Sequence, residues 1–118
     1  MAERELNSVT ISVCSLDESK ERLAAAFRGE GQGSYIEFPT VEILWKVLTA
    51  KRWEILQAMT GQDEMSIREI ARRVGRDVKA VHGDVQGMLS AGLIDKTASG
   101  NVIFPYDEVH VDFKLRAA

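Results

Sequence analysis

A chain of 118 residues, 45% hydrophobic and 28% charged, has the length of one domain and enough apolar content to bury a core, which excludes a disordered or fibrous class. Its 15 Lys and Arg against 18 Asp and Glu leave a net charge of −3, which argues against indiscriminate binding to a polyanion. No stretch approaches the roughly 18 uncharged apolar residues of a membrane span, and the one cysteine, Cys14, excludes an internal disulfide and any multi-Cys metal site.

The amino terminus is acidic and mixed where a signal peptide would be basic and then apolar, so a soluble cytoplasmic protein is expected. Val9, Ile11 and Val13 alternate with Thr10, Ser12 and Cys14, the period of a half-buried strand. Ser15-Leu16-Asp17-Glu18 reads as a capping box. Leu16, Leu23, Ala24 and Phe27 share one face of the helix it opens, with Gly29 as its stop. Gly29-Glu30-Gly31-Gln32-Gly33-Ser34 reads as flexible, Tyr35 to Phe38 as a short strand, and Thr40 as the cap of a helix to about Val47.

Thr49 begins a helix with Trp53, Ile55, Leu56 and Met59 as its apolar set, ended by Gly61. Ser66-Ile67-Arg68-Glu69 is a second capping box, with Met65 and Ile70 placed to staple across it. Ile67, Ile70, Ala71 and Val74 face one way; Gly75 and Arg76 follow, and Asp77 caps a longer helix. Val78, Val81, Val85, Met88 and Leu89 form that helix's core-facing stripe, and Gly92 ends it. Leu93 to Thr97, a turn over 98–101, and Val102 to Phe104 read as strand, turn and strand. A final strand carries Val109, Val111, Phe113 and Leu115 on its apolar face, with Glu108, His110 and Asp112 on the other.

Helix, short helix, Gly-containing turn, longer helix and hairpin is the winged helix-turn-helix order. The run Ser66 to His82 resembles the helix-turn-helix of small prokaryotic regulators of the ArsR/MarR type, with Ala71 at the close-approach position and Gly75 at the turn; Leu89, Gly92, Leu93 and Ile94 are similar to their helix-to-wing junction. Leu48-Thr49, Arg52, Glu54-Ile55-Leu56, Val81-His82, Asp84-Val85 and Phe104-Pro105-Tyr106-Asp107-Glu108 further resemble a group of short DNA-binding proteins of bacteria and archaea, some of them autorepressing antitoxins; Gly83 departs from that pattern, which has Arg there. The expected fold is α+β, a winged helix-turn-helix over 49–106, with an added strand-helix extension over 1–48 and a carboxy-terminal strand over 107–118 in one compact unit. The terminal strands each bury one face only, so the extension is expected to form the dimerisation layer of a twofold homodimer.

Lys79, His82, Gly83 and Gln86 then point away from the core, where a recognition helix meets base edges. Lys79 would donate to guanine, Gln86 bracket adenine, and His82 donate or accept. Ser66, through the free amides of its helix start, with Arg68 and Arg76 is expected at phosphates, and Lys96 and Asn101 in the wing. These blocks carry the chain's one local basic excess, net +2 over 66–96. The alternative reading is a plain solvated helix face.

Glu108, His110 and Asp112 invite a metal reading, but a strand's outer face accounts for them. Cys14 reads as a small buried hydrophobe, and a Cys14–His110 nucleophile pair has no further support. No catalytic residue, cofactor or metal is expected. The expected function is sequence-specific double-stranded DNA binding by a dimeric repressor or autorepressing antitoxin, with a cognate toxin as partner in the latter case. The alternative is a winged-helix protein-interaction module that binds a toxin or larger assembly without DNA.

Overall fold

The computed structural model describes residues 6–14, 16–28, 34–115 and 117. The expected Ser15 cap, the 29–33 part of the glycine-rich stretch and the side chains of Leu16 and Phe27 lie outside the described residues. In chain order the elements are β1 (Ser8–Val13), α1 (Leu16–Phe27), β2 (Ser34–Phe38), α2 (Val41–Val47), α3 (Ala50–Met59), α4 (Ile67–Val74), α5 (Val78–Ser90), β3 (Asp95–Lys96), β4 (Val102–Ile103) and β5 (Glu108–Asp112). The fold is α+β.

β1 is the middle strand of a three-stranded sheet in the order β2-β1-β5, with both pairings parallel. The register sets Ile11 beside Ile36 and Val111, and Val9 beside Val109. Side chains alternate along a strand, so one sheet face holds Val9, Ile11, Ile36, Phe38, Val109 and Val111, all of which join the core. The opposite face is polar, with Thr10, Ser12, Tyr35, Glu37, His110 and Asp112.

α1 lies against that polar face. The Arg22 guanidinium sits 3.9 Å above the Tyr35 ring and pairs with Glu37, which also accepts a hydrogen bond from Ser19 Oγ at 2.7 Å. Burial would lower the Arg22 pKa, but the Glu37 hydrogen bond leads the effects that raise it. Ser19, Arg22 and Ala25 recur every three residues and therefore share a face, and Ala25 is buried. The expected apolar face is corrected accordingly: Leu23 and Ala24 are exposed, because polar contacts to the sheet set the helix's rotation.

The remaining helices start as their side chains dictate. Thr40 Oγ1 accepts from Ile43 N at 3.1 Å and Thr49 Oγ1 from Arg52 N at 3.2 Å, each satisfying an otherwise free amide. Ile55, Leu56 and Met59 of α3, Ile70 and Ala71 of α4, and Val81, Val85 and Met88 of α5 pack with Leu44 and the sheet's apolar face in one buried cluster. Val78 is corrected from the expected core stripe: at the first turn of α5 it is exposed. The hairpin is shorter than expected. Only Asp95–Lys96 and Val102–Ile103 pair as strands, while Leu93, Ile94 and Phe104 are buried in the core. Met65 adds an antiparallel bridge to Val102.

β5 also differs. Val109 and Val111 are half-buried, but Phe113 and Leu115 are exposed. β5 ends at Asp112, which pairs with Ser12 one residue before β1 ends at Val13, so Phe113 and Leu115 lie beyond the paired part of the strand. Asn7 fastens the start of β5: its carbonyl accepts from Asp107 N at 2.7 Å and its N–H donates to Asp107 Oδ2 at 3.1 Å. Among the described residues no helix is long and apolar enough to cross a membrane.

Candidate functional site

The α4–turn–α5 segment is built by local chemistry. Ser66 Oγ accepts from Glu69 N at 3.1 Å and opens α4. Glu69 itself turns to its own helix face, where Arg72 Nε and Nη2 donate to it at 2.7 and 2.5 Å and Arg73 Nε donates at 3.1 Å. Those hydrogen bonds, Arg72's foremost, hold its carboxyl at about 2, well below the usual 4.5. Gly75 closes α4 in the left-handed region at φ +67°, where a side chain is costly. Asp77 Oδ2 then accepts from Lys79 N and Ala80 N at 3.1 and 3.3 Å and starts α5.

Asp84 locks this unit to α3. Its two carboxylate oxygens take Arg52 Nε at 3.1 Å and Arg76 Nη2 at 2.8 Å. Arg52 Nη1 donates as well to the Val47 carbonyl at 3.0 Å. Burial pushes the Asp84 carboxyl up, but the hydrogen bonds from Arg76 and then Arg52 outweigh it and leave it below its ordinary value. Arg76, expected at a phosphate, has a side chain only 17% exposed and is held by Asp84. Gly87 belongs to the same arrangement, since a Cβ there would lie 2.5 Å from Arg52 Nη2.

The outward face of α5 carries Lys79, His82, Gly83 and Gln86, all exposed, opposite buried Val81, Val85 and Met88. An open groove of about 440 Å³ between α4 and the start of α5 is lined by Arg68, Ala71, Arg72, Gly75, Arg76 and Val78. Arg68 and Arg72 are exposed beside it. Ser66 is exposed at the other end of the short helix, its hydroxyl committed to Glu69 N. In the hairpin Lys96 is exposed, whereas Asn101 is half-buried and donates through Nδ2 to Glu64 at 3.2 Å. Glu64 also accepts from Ser99 Oγ, the first of the bonds that lower its carboxyl pKa.

Two residues of this site had no role in the sequence reading. Arg52 organises α3 against α5; its signal is a glycine, Gly87, three residues after an aspartate on the facing helix. Glu64 ties the hairpin tip to the loop before α4, a contact spanning 37 residues that no local pattern marks. Glu108, His110 and Asp112 are exposed along β5, and among the described residues no three His, Cys, Asp or Glu side chains gather as metal ligands would. Cys14 is buried, with Sγ 3.7 Å from Ser12 Oγ. His110 stands beside Thr10, four residues back along β1 from Cys14. That is about 13 Å along the strand, beyond reach of a nucleophile–base pair.

Comparison with curated proteins and with solved structures finds no match. The HVO_A0114 family, by contrast, matches residues 47–111, a stretch that runs from the last residue of α2 into β5 and takes in the Arg52–Asp84–Arg76 clamp and the exposed face of α5. With more than half its length matched, the chain belongs to the HVO_A0114 family.

Proposed function

We propose that this chain is a sequence-specific regulator that binds double-stranded DNA, with α3–α5 and the β3–β4 hairpin working as a winged helix-turn-helix of the ArsR/MarR kind. The observation that carries the reading is the division of α5: Val81, Val85 and Met88 are buried while Lys79, His82, Gly83 and Gln86 are exposed on the opposite face. A helix so divided can enter the major groove, where Lys79 donates to guanine, Gln86 pairs with adenine and His82 supplies a donor or acceptor. The antiparallel Met65–Val102 bridge, which ties the hairpin to the loop before α4, supports a wing.

Arg68 and Arg72, exposed beside the groove at the start of α5, contact phosphates together with the amides at the Ser66 helix start. Arg76 serves differently from the sequence expectation, holding α5 in place through Asp84. Lys96 reaches the backbone from the hairpin, while Asn101, committed to Glu64, stiffens its tip. As a homodimer the protein would occlude a promoter and repress, in the antitoxin case its own.

Fluorescence anisotropy on the protein's own upstream DNA and on a scrambled duplex, across a salt series, tests this. Specific binding gives preference for the native fragment and a log–log salt slope near −0.9 per phosphate contacted. Lys79→Ala is expected to cost about 1–3 kcal/mol on the native site and to relax specificity; unchanged affinity removes Lys79 as a base reader. The rival class, a winged-helix module that binds a toxin or other protein without DNA, is favoured by the net charge of −3. Absence of DNA binding even at low salt selects it.

A further inference from the structure

On one side the parallel sheet ends in β5, whose one strand neighbour among the described residues is β1. Among the described residues nothing pairs with its outer edge, whose backbone donors and acceptors are a template for another strand. Next to it the protein exposes apolar surface: Phe113 is 42% exposed, Trp45 62% and Leu115 99%. The Trp45 and Phe113 rings meet edge to face with centroids 6.3 Å apart. At the opposite edge, β2 exposes Tyr35 at 38%, but the Arg22 guanidinium covers that ring, and the charged residue of β2, Glu37, is already held by Arg22 and Ser19.

We propose that a second copy of this chain occupies the β5 edge, with the two β5 strands antiparallel about a twofold axis through Val111. The residues of β5 and the two that follow are self-complementary over their whole length in this register. Centred on Val111, Glu108 stands opposite the partner's Lys114, His110 opposite the partner's Asp112, and Val109 opposite the partner's Phe113. Opposite charges therefore meet at Glu108 and Lys114, an imidazole meets a carboxylate at His110 and Asp112, and apolar groups meet on the other face, the kinds of cross-strand pair that stabilise a sheet. Centring on His110 opposes Glu108 to the partner's Asp112, and centring on Asp112 opposes two Asp112 carboxylates. A register centred between residues sets the apolar face of one strand against the polar face of the other.

The product is a continuous six-stranded sheet, β2-β1-β5-β5-β1-β2, in which the partner's Val109 covers the Phe113 ring beside Trp45. This assignment goes beyond the DNA-binding reading, and its test uses no DNA.

The test is sedimentation of the full-length protein alone and of two charge variants, Glu108→Lys and Lys114→Glu. The parent is expected to be a dimer. Each variant places like charges opposite one another twice in its own interface and is expected to weaken association about tenfold or more. Mixed in equal amounts, the two variants regain unlike charges at both 108–114 pairs and should associate as well as the parent, which also establishes that both are folded. A monomeric parent, single variants that dimerise undiminished, or a mixture that fails to associate would each overturn the assignment. Because association is read without DNA, a failure of the anisotropy experiment would reject the regulator and leave this assignment standing.

Discussion

α5 contains two interior glycines four residues apart, and the same substitution is expected to have opposite effects at them. At Gly83 an added Cβ meets nothing within 4 Å, so Gly83→Ala restores helix propensity and stabilises the protein by about 0.5–1 kcal/mol. At Gly87 the propensity gain is the same, but the new Cβ would stand 2.5, 2.8 and 2.9 Å from Nη2, Cζ and Nη1 of Arg52. The guanidinium must withdraw, which breaks its bonds to Asp84 Oδ1 and to the Val47 carbonyl. Hydrogen bonds to charged groups contribute about 1.5–3 kcal/mol each, and here water and the retained Arg76 bond compensate part of the loss. A net loss of about 1–2 kcal/mol remains for Gly87→Ala once the propensity gain is subtracted. Urea denaturation followed by circular dichroism reads both variants, with equal slopes and midpoints displaced in opposite directions. In an Arg52→Ala background the penalty at Gly87 should vanish. Equal stabilisation at both sites would refute the placement of Arg52 across α5.

Gly83 also tests the DNA reading. Gly83→Arg fills open space on the exposed face of α5 and should steepen the salt slope by about 0.9 as one more phosphate is contacted; an unchanged slope argues that this face does not meet DNA. The Glu69 carboxyl, at about 2 against the usual 4.5, is depressed in the folded protein, so its stabilisation is complete above the ordinary value and is lost as pH falls toward about 2. The difference in Tm between the parent and Glu69→Gln should therefore hold steady near neutrality and close between about pH 4.5 and 2; a gap that persists at the acid limit contradicts the arginine pairing. Ser66→Ala, which removes the cap from α4, is expected to lower stability by about 1 kcal/mol by the same urea measurement.

The helix starts were legible because each depends on a side chain within three residues of the amide it serves. Thr40, Thr49, Ser66 and Asp77 all cap as their identities imply, and Gly75 takes the positive φ expected of a glycine at a turn. The outward set on α5 was legible from periodicity, whereas Val78 at its first turn escaped the core that periodicity assigned it. What could not be read is what depends on distant partners. Leu23 turned outward because Arg22 and Ser19 found Glu37 on another element. Arg76 looked like a free cation at a turn until Asp84, eight positions on, claimed it. Parallel pairing of β1 with both β2 and β5 leaves no hairpin signal in the chain, so alternation revealed the strands but not their order.

The position of β1 has a kinetic consequence. The contacts of β1 to β5, and of the preceding Asn7 to Asp107, join residues separated by about 100 positions, while those within α3, α4 and α5 are local. Closing so long a loop is slow compared with forming neighbouring helices. The helical segment should therefore assemble first, with the central strand of the sheet completed on one side only after residues 107–112 have left the ribosome. Until then β1 is itself an edge strand, and the amino-terminal segment of a growing chain is the part most exposed to capture by another chain or by a chaperone.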